Sequence, residues 1–177
     1  MKFFKRKIFI VVILVIFIES ICLITYISGA KTKNKTKDEI KNLIGNTEIT
    51  LNKDEQEILN LINEYRKQNG LNELKPANRL QEVANLKAED LVENTYFSHI
   101  SPNLGNPFEM LKSNNIQYTI AGENLAGNIN SNKAVEAWIN SPTHKANILE
   151  EEFKYTGISV IESPVYGKVF VQIFLDI

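Results

Sequence analysis

The 177-residue chain has one cysteine, one tryptophan and two histidines. With Cys22 alone no intramolecular disulfide can form, so a domain here must be stable on packing. The sequence contains no His-Glu-x-x-His, no closely spaced cysteine pair and no Gly-rich phosphate loop. Zincin, zinc-ribbon and P-loop chemistry are therefore unsupported. Basic charge is also missing where a nucleic-acid surface would need it. The net charge of −1 hides an asymmetry: the first 45 residues carry nine Lys or Arg against three acids. The remainder carries eleven against eighteen, a net of −7, which argues against nucleic acid as a partner.

What is present begins with a basic head, Lys2, Lys5, Arg6 and Lys7, followed over 8–28 by an apolar run whose single charge is Glu19. About 20 apolar residues span a bilayer as a helix, so a membrane helix is expected within 1–28. Two fates are open for it. Ser28 and Ala30 are small residues at the positions a signal peptidase reads, which fits cleavage. The length of the run favours a retained anchor. Ile21 before Cys22 is too large for a lipoprotein signal. Lysine numbers on the two sides of the run are similar, so charge alone does not orient it. The order of basic head, apolar run and small residues is that of an exported domain. Residues 29–50 are polar, lysine-rich and poor in periodicity, and are expected to form a linker. Its lysines could rest on anionic lipid or wall polymer.

A domain is expected over 51–177. Asn52 and Glu55 form a capping-box pattern, and Ile58, Leu59, Ile62 and Tyr65 recur at helical spacing up to Asn69-Gly70. Residues 71–76 read as a loop. A second amphipathic helix over 78–94 turns Leu80, Val83, Ala84, Leu91 and Val92 inward. After Phe97-Ser98-His99 come a short helix over 108–114, a strand over 121–126, and a helix over 132–140 with Trp138 on its apolar face. Ser141 and Pro142 suit the N-cap and first position of one more helix, placing His144 in its first turn. Strands over 157–162 and 168–176 close the chain, joined by a turn through Pro164. In the last strand Val169, Val171, Ile173 and Leu175 alternate with Phe170 and Phe174. A strand apolar on both faces is covered on both, so helix layers should flank a small, mainly antiparallel sheet. The fold class is α+β.

Three residues stand out for chemistry: His99, Glu123 and His144. An imidazole near a helix N-terminus is disfavoured in its protonated form, and a neutral imidazole can bind metal or accept a proton. Two imidazoles and a carboxylate can hold a divalent metal with open positions or run acid–base chemistry. Each histidine could equally be a hydrogen-bonded structural group, and the residues alone leave both readings open.

Phe97-Ser98-His99, Ala121-Gly122-Glu123-Asn124-Leu125-Ala126, the stretch from Ala137 through Trp138, Ser141-Pro142 and His144 to Leu149, and Thr156-Gly157-Ile158 occur in one order. In this the chain resembles the CAP superfamily of cysteine-rich secretory, antigen 5 and pathogenesis-related 1 proteins, in its short, disulfide-free bacterial branch. The resemblance implies an α-β-α sandwich, an extracytoplasmic location and a cavity built from two histidines and two glutamates. By position His99, Glu123 and His144 supply three of these. The fourth, a glutamate just after the tryptophan, has no counterpart: Ser141 falls near it, and Glu136 precedes Trp138. Family members are linked to metal, sterol or lipid binding, and in isolated cases to proteolysis.

Three functions follow as expectations. The first is a cell-envelope binding module holding a divalent metal, zinc above others, on His99 and His144, or holding a small ligand. The second is a metal-assisted hydrolase with catalytic Glu123, His144 and His99, Glu123 serving as base. The third is a structural envelope domain. Ser98 adjoins His99, but adjacent side chains seldom face each other, which argues against a triad. Expected partners are the membrane through the N-terminal helix, and wall polymer, lipid or a small ligand, with no nucleic acid; the domain is expected to be monomeric.

Overall fold

The computed structural model describes residues 37–45 and 49–177. The apolar run at 8–28, expected to form a membrane helix, lies outside the described residues. Among the described residues no helix is long and apolar enough to cross a membrane. The elements in order are α1 (Lys37–Ile44), α2 (Lys53–Gln68), β1 (Lys75–Pro76), α3 (Asn78–Glu93), α4 (Pro107–Ser113), β2 (Ile120–Asn128), α5 (Ser131–Asn140), α6 (Pro142–Leu149), β3 (Tyr155–Ser163) and β4 (Gly167–Asp176).

Local chemistry explains the helix ends. The Asn52 side chain accepts from the Glu55 N–H at 3.0 Å, and the Glu55 carboxylate accepts from the Asn52 N–H at 2.8 Å, a reciprocal box that starts α2. Asn106 and Glu109 repeat the device at α4, with Pro107 in the first turn. Three helices end alike. The residue just past the C-cap takes a left-handed conformation: Gly70 (φ 76°) after α2, Thr95 (φ 51°) after α3 and Asn115 (φ 54°) after α4. The next N–H reaches back to the last turn in each case: Leu71 to Arg66 O, Tyr96 to Leu91 O and Ile116 to Leu111 O.

The strands form one sheet in the order β1-β3-β4-β2. β3 and β4 are an antiparallel hairpin and β2 runs antiparallel to β4, while β1 adds two residues in parallel to the start of β3. The sheet is therefore mixed but mainly antiparallel. The stretch 71–76, expected as loop, contributes β1 because Lys75 and Ala77 donate to Lys154 O and Thr156 O. Two residues carry no period-2 pattern, which is why composition does not reveal this strand.

Side chains alternate along β4 as expected. Val169, Val171, Ile173 and Leu175 join Leu80, Val83, Ala84 and Leu91 of α3 in one core. Phe170 and Phe174 join Ile58 and Ile62 of α2, Trp138 of α5 and Ile148 of α6 in the other. Each buried aliphatic or aromatic side chain contributes roughly 1.5–3 kcal/mol. The result is an α-β-α sandwich, with α1, α3 and α4 on one face and α2, α5 and α6 on the other.

Within the stretch expected as linker, α1 is a helix. Leu43 is buried in the α3-side core, with Ile40 and Ile44 packed against it. The i, i+3, i+4 spacing of these three apolar residues is a helical signal that the surrounding lysines conceal. The outer edge of β3 is also managed. The Gln81 side chain accepts from the Ile158 N–H at 3.0 Å and donates to the Ile158 carbonyl, standing in for a strand.

Candidate functional site

β2 lies at the edge of the sheet, and its Gly122-Glu123-Asn124 segment has helix layers on both sides. Successive strand residues point to opposite faces. Glu123, paired with Ile173, faces the α3 side, while Asn124, paired with Gln172, faces the α6 side. His99 approaches from the connection after α3 and His144 from the first turn of α6. The two imidazole centroids are 6.5 Å apart, their planes inclined by 37°. His99 Nδ1 lies 2.7 Å from Glu123 Oε1. The Glu123 side chain is 2% exposed against 24% for His99, and its Oε2 has no hydrogen-bond partner among the described residues. The structure thus brings His99, Glu123 and His144 together.

Neither Ser141 nor Glu136 brings a carboxylate to the fourth position. Ser141 sits at the α6 N-cap, but its hydroxyl makes no capping bond; it meets the Thr143 hydroxyl at 3.2 Å. Glu136 is exposed and paired with Lys133 at 2.7 Å, so it is not part of the cluster. Ser98 Oγ accepts from the Ile100 N–H at 3.1 Å, a local turn contact. Among the described residues no group of three or more His, Cys, Asp or Glu side chains is placed to hold a metal ion.

The α6 side is held by amides. Asn124 Nδ2 donates to the His144 carbonyl at 3.0 Å, and Asn147 Nδ2 donates to Asn124 Oδ1 at 2.9 Å and to the Glu123 carbonyl at 3.2 Å. Arg66, fully buried, donates to the carbonyls of Ile148 and Glu150 at 2.8 Å and of Phe153 at 3.2 Å. It satisfies the carbonyls a helix C-terminus leaves open and so fixes α6. Trp138 Nε1 donates to the Leu125 carbonyl at 2.9 Å, tying α5 to β2.

The α3 side is held by a buried cation that sequence reasoning missed. Lys87 is 0% exposed, and its Nζ donates to Tyr96 Oη at 3.0 Å, to Ser98 O at 2.8 Å and to His99 O at 3.1 Å. Tyr96 donates to Asp90 Oδ2, and Asp90 Oδ1 accepts from Asn94 Nδ2 at 2.9 Å. The signal was available: Lys87 interrupts the stripe Leu80, Val83, Ala84, Leu91 at a core position. Arg66, four residues after Ile62, interrupts its own stripe in the same way.

Burial pushes the Lys87 ammonium down, and the Glu123 and Asp90 charges oppose that shift. Burial would raise the Asp90 carboxyl, yet hydrogen bonds from Tyr96, Ser101 and Asn103 and the Lys87 charge hold it low. His144 lies below its ordinary value chiefly through burial, and then through the neighbouring His99. The direction matches the expectation from the helix N-terminus, but desolvation is the main cause.

Residues 59–174 match the cysteine-rich secretory protein family, CAP. The chain belongs to this family. Its CAP domain is 38% identical over 122 residues to YkwD of Bacillus subtilis (strain 168), covering 68% of this chain and 46% of that protein. Among solved structures it is similar to an extracellular protein containing an SCP domain from Bacillus anthracis str. Ames. That match has a TM-score of 0.65 and 30% identity, covering 82% of this chain and 45% of the other. It is also similar to an outer surface protein from Borrelia burgdorferi, with a TM-score of 0.66 and 27% identity, covering 73% of this chain and 97% of that one. The chain therefore spans less than half the length of YkwD and of the Bacillus anthracis protein.

Proposed function

We propose that this chain is an extracytoplasmic binding module of the cell envelope. In this reading His99 and His144 of its CAP domain hold one divalent metal, zinc above others, and Glu123 orients His99. The observation that carries it is the 2.7 Å contact of the buried Glu123 carboxylate with His99 Nδ1, beside a second imidazole 6.5 Å away. A carboxylate on one imidazole nitrogen fixes the tautomer and ring direction and makes the other nitrogen the better ligand. Burial keeps His144 neutral at ordinary pH, the form that binds metal.

The donor types suit zinc. Two rings on one tetrahedral zinc would have centroids about 5 Å apart, given zinc–nitrogen distances of about 2.0–2.1 Å. The present 6.5 Å must therefore close somewhat on binding. Zinc would contribute a Lewis acid with open positions for water or a small ligand. Two protein ligands imply modest affinity. The extracytoplasmic placement is supported by the signal-like order of the N-terminal residues. It is supported too by the relatives described as extracellular and as an outer surface protein.

The test is calorimetric titration of zinc into the parent, His99→Ala and His144→Ala. Each variant is expected to lose at least tenfold in affinity. Glu123→Gln is expected to lose about 10–100-fold, the usual effect of removing an orienting partner. If both histidine variants bind as the parent does, the pocket is not a metal site.

A further inference from the structure

We propose that Lys87 is the positioning residue of this site: it fixes the His99-bearing segment so that the His99 imidazole meets Glu123. The inference deepens the metal-site reading and rests on His99 being the group to be placed. An ammonium has three donors and no acceptor. All three contacts of Lys87 Nζ, to Tyr96 Oη, Ser98 O and His99 O, lie within 3.1 Å and within four consecutive residues. None is a helix or sheet partner. The buried cation reaches from the middle of α3 and captures the two peptide carbonyls on either side of the His99 Cα.

The anchor is itself anchored. The Tyr96 hydroxyl donates a hydrogen bond to Asp90, one turn along α3, and Asp90 also accepts from Asn103 Nδ2 at 3.3 Å beyond the histidine. Residues before and after His99 are thereby tied to one helix. Phe97 and Ile100, on either side of Ser98 and His99, are 42% and 55% exposed, so the polar tie adds to what Tyr96 packing and the Phe97–Tyr166 ring contact supply. Glu123 stands on β2 and shares the field of the same cation. Lys87 therefore relates the two partners of the His99–Glu123 contact without touching the imidazole. A lysine at 0% exposure in an apolar stripe is costly unless every donor is used. Here every donor is spent on placing one segment.

The chain has only two histidines, so histidine-selective 15N labelling of the full chain in detergent micelles gives two resolvable rings. In the metal-free parent, long-range 1H–15N spectra should show His99 in a single tautomer with its proton on Nδ1. In Lys87→Met we expect His99 to shift to a tautomer mixture while His144 is unchanged, and zinc affinity to fall tenfold or more. Tyr96→Phe, which removes one contact and the link to Asp90, should shift His99 in the same direction by a smaller amount. Ile62→Val, a core change in the other helix layer, should leave His99 as in the parent. An unchanged His99 spectrum in folded Lys87→Met overturns the proposal. So does an equal shift in Ile62→Val, which would mean that loss of stability alone moves the ring. If Lys87→Met does not fold, Tyr96→Phe decides, and an unchanged spectrum there overturns it. The spectra are recorded without zinc. A parent that fails to bind zinc would sink the metal reading and leave the role of Lys87 to be decided by the tautomers.

Discussion

Gly157 stands against the backbone of Leu80: a Cβ at Gly157 would lie 2.2 Å from the Leu80 carbonyl carbon and oxygen. α3 crosses β3 here with no side chain between them. The close crossing is what lets Gln81, the next residue, reach both backbone groups of Ile158. Gly157→Ala must push helix and strand apart, because the obstruction is backbone and cannot rotate away. We expect a loss of about 3 kcal/mol, the upper end for overpacking, in urea unfolding. A loss below about 1 kcal/mol would show that α3 can slide along the sheet.

Trp138 fills the α2-side core at 1% exposure and donates its indole N–H to Leu125 O. Trp138→Ala should cost about 3–5 kcal/mol, combining lost burial, a cavity and an unpaired carbonyl on β2. Trp138→Phe retains most of the volume and loses the donor, so about 1–3 kcal/mol is expected. Equal losses in the two variants would mean that the hydrogen bond, not packing, carries the residue's contribution.

Thr95 follows α3 with φ 51°, a β-branched residue in the conformation that Gly70 takes after α2. A left-handed backbone costs an L-residue roughly 1–2 kcal/mol that glycine avoids. Thr95 is exposed, so little packing is lost on removing its side chain. Thr95→Gly should therefore stabilise the domain by about 1 kcal/mol, offset in part by added freedom of the unfolded chain. A scan of thermal unfolding should show a rise of a few degrees; a fall would mean that the threonine side chain makes a contribution of its own.

Much of this arrangement was legible in the sequence because it is written in local patterns. The Asn52–Glu55 box, the stripe of α2 and the two-faced alternation of β4 each fixed an element, and the last also implied helices on both faces. His99, Glu123 and His144 were legible through the motifs around them. The rest depends on partners distant in sequence. Lys87 and Arg66 are charged residues at core positions, and periodicity averages over them. Their acceptors, Ser98 O and His99 O for one and Ile148 O and Glu150 O for the other, become visible only once the chain is folded. α1 was hidden by composition, since three apolar residues among lysines read as linker until Leu43 finds a core. Ser141 shows the opposite error: a residue of the right type at the right place, whose hydroxyl bonds Thr143 instead of capping the helix.

Stability should also report the state of His144. Burial and the neighbouring His99 hold it below the reference value of 6.5. The native state therefore binds the proton less tightly than the unfolded chain does. As pH falls, the unfolded chain takes up the proton first, and mass action favours unfolding. The contribution is fully present above the unfolded value, near 6.5, and is lost as pH falls from there toward the lower folded value. Carboxylates titrate lower in the same range, so the useful quantity is the difference between parent and His144→Asn, which lacks the titrating group. Urea unfolding of both, from about pH 7.5 to about pH 5, should show the parent losing more stability than the variant over this interval. Zinc should enlarge that difference, because a metal on His144 excludes the proton from the native state altogether. A difference that stays flat without zinc would mean that His144 titrates at its ordinary value, leaving no buried, neutral imidazole. A difference that zinc leaves unchanged would remove His144 from the proposed metal site.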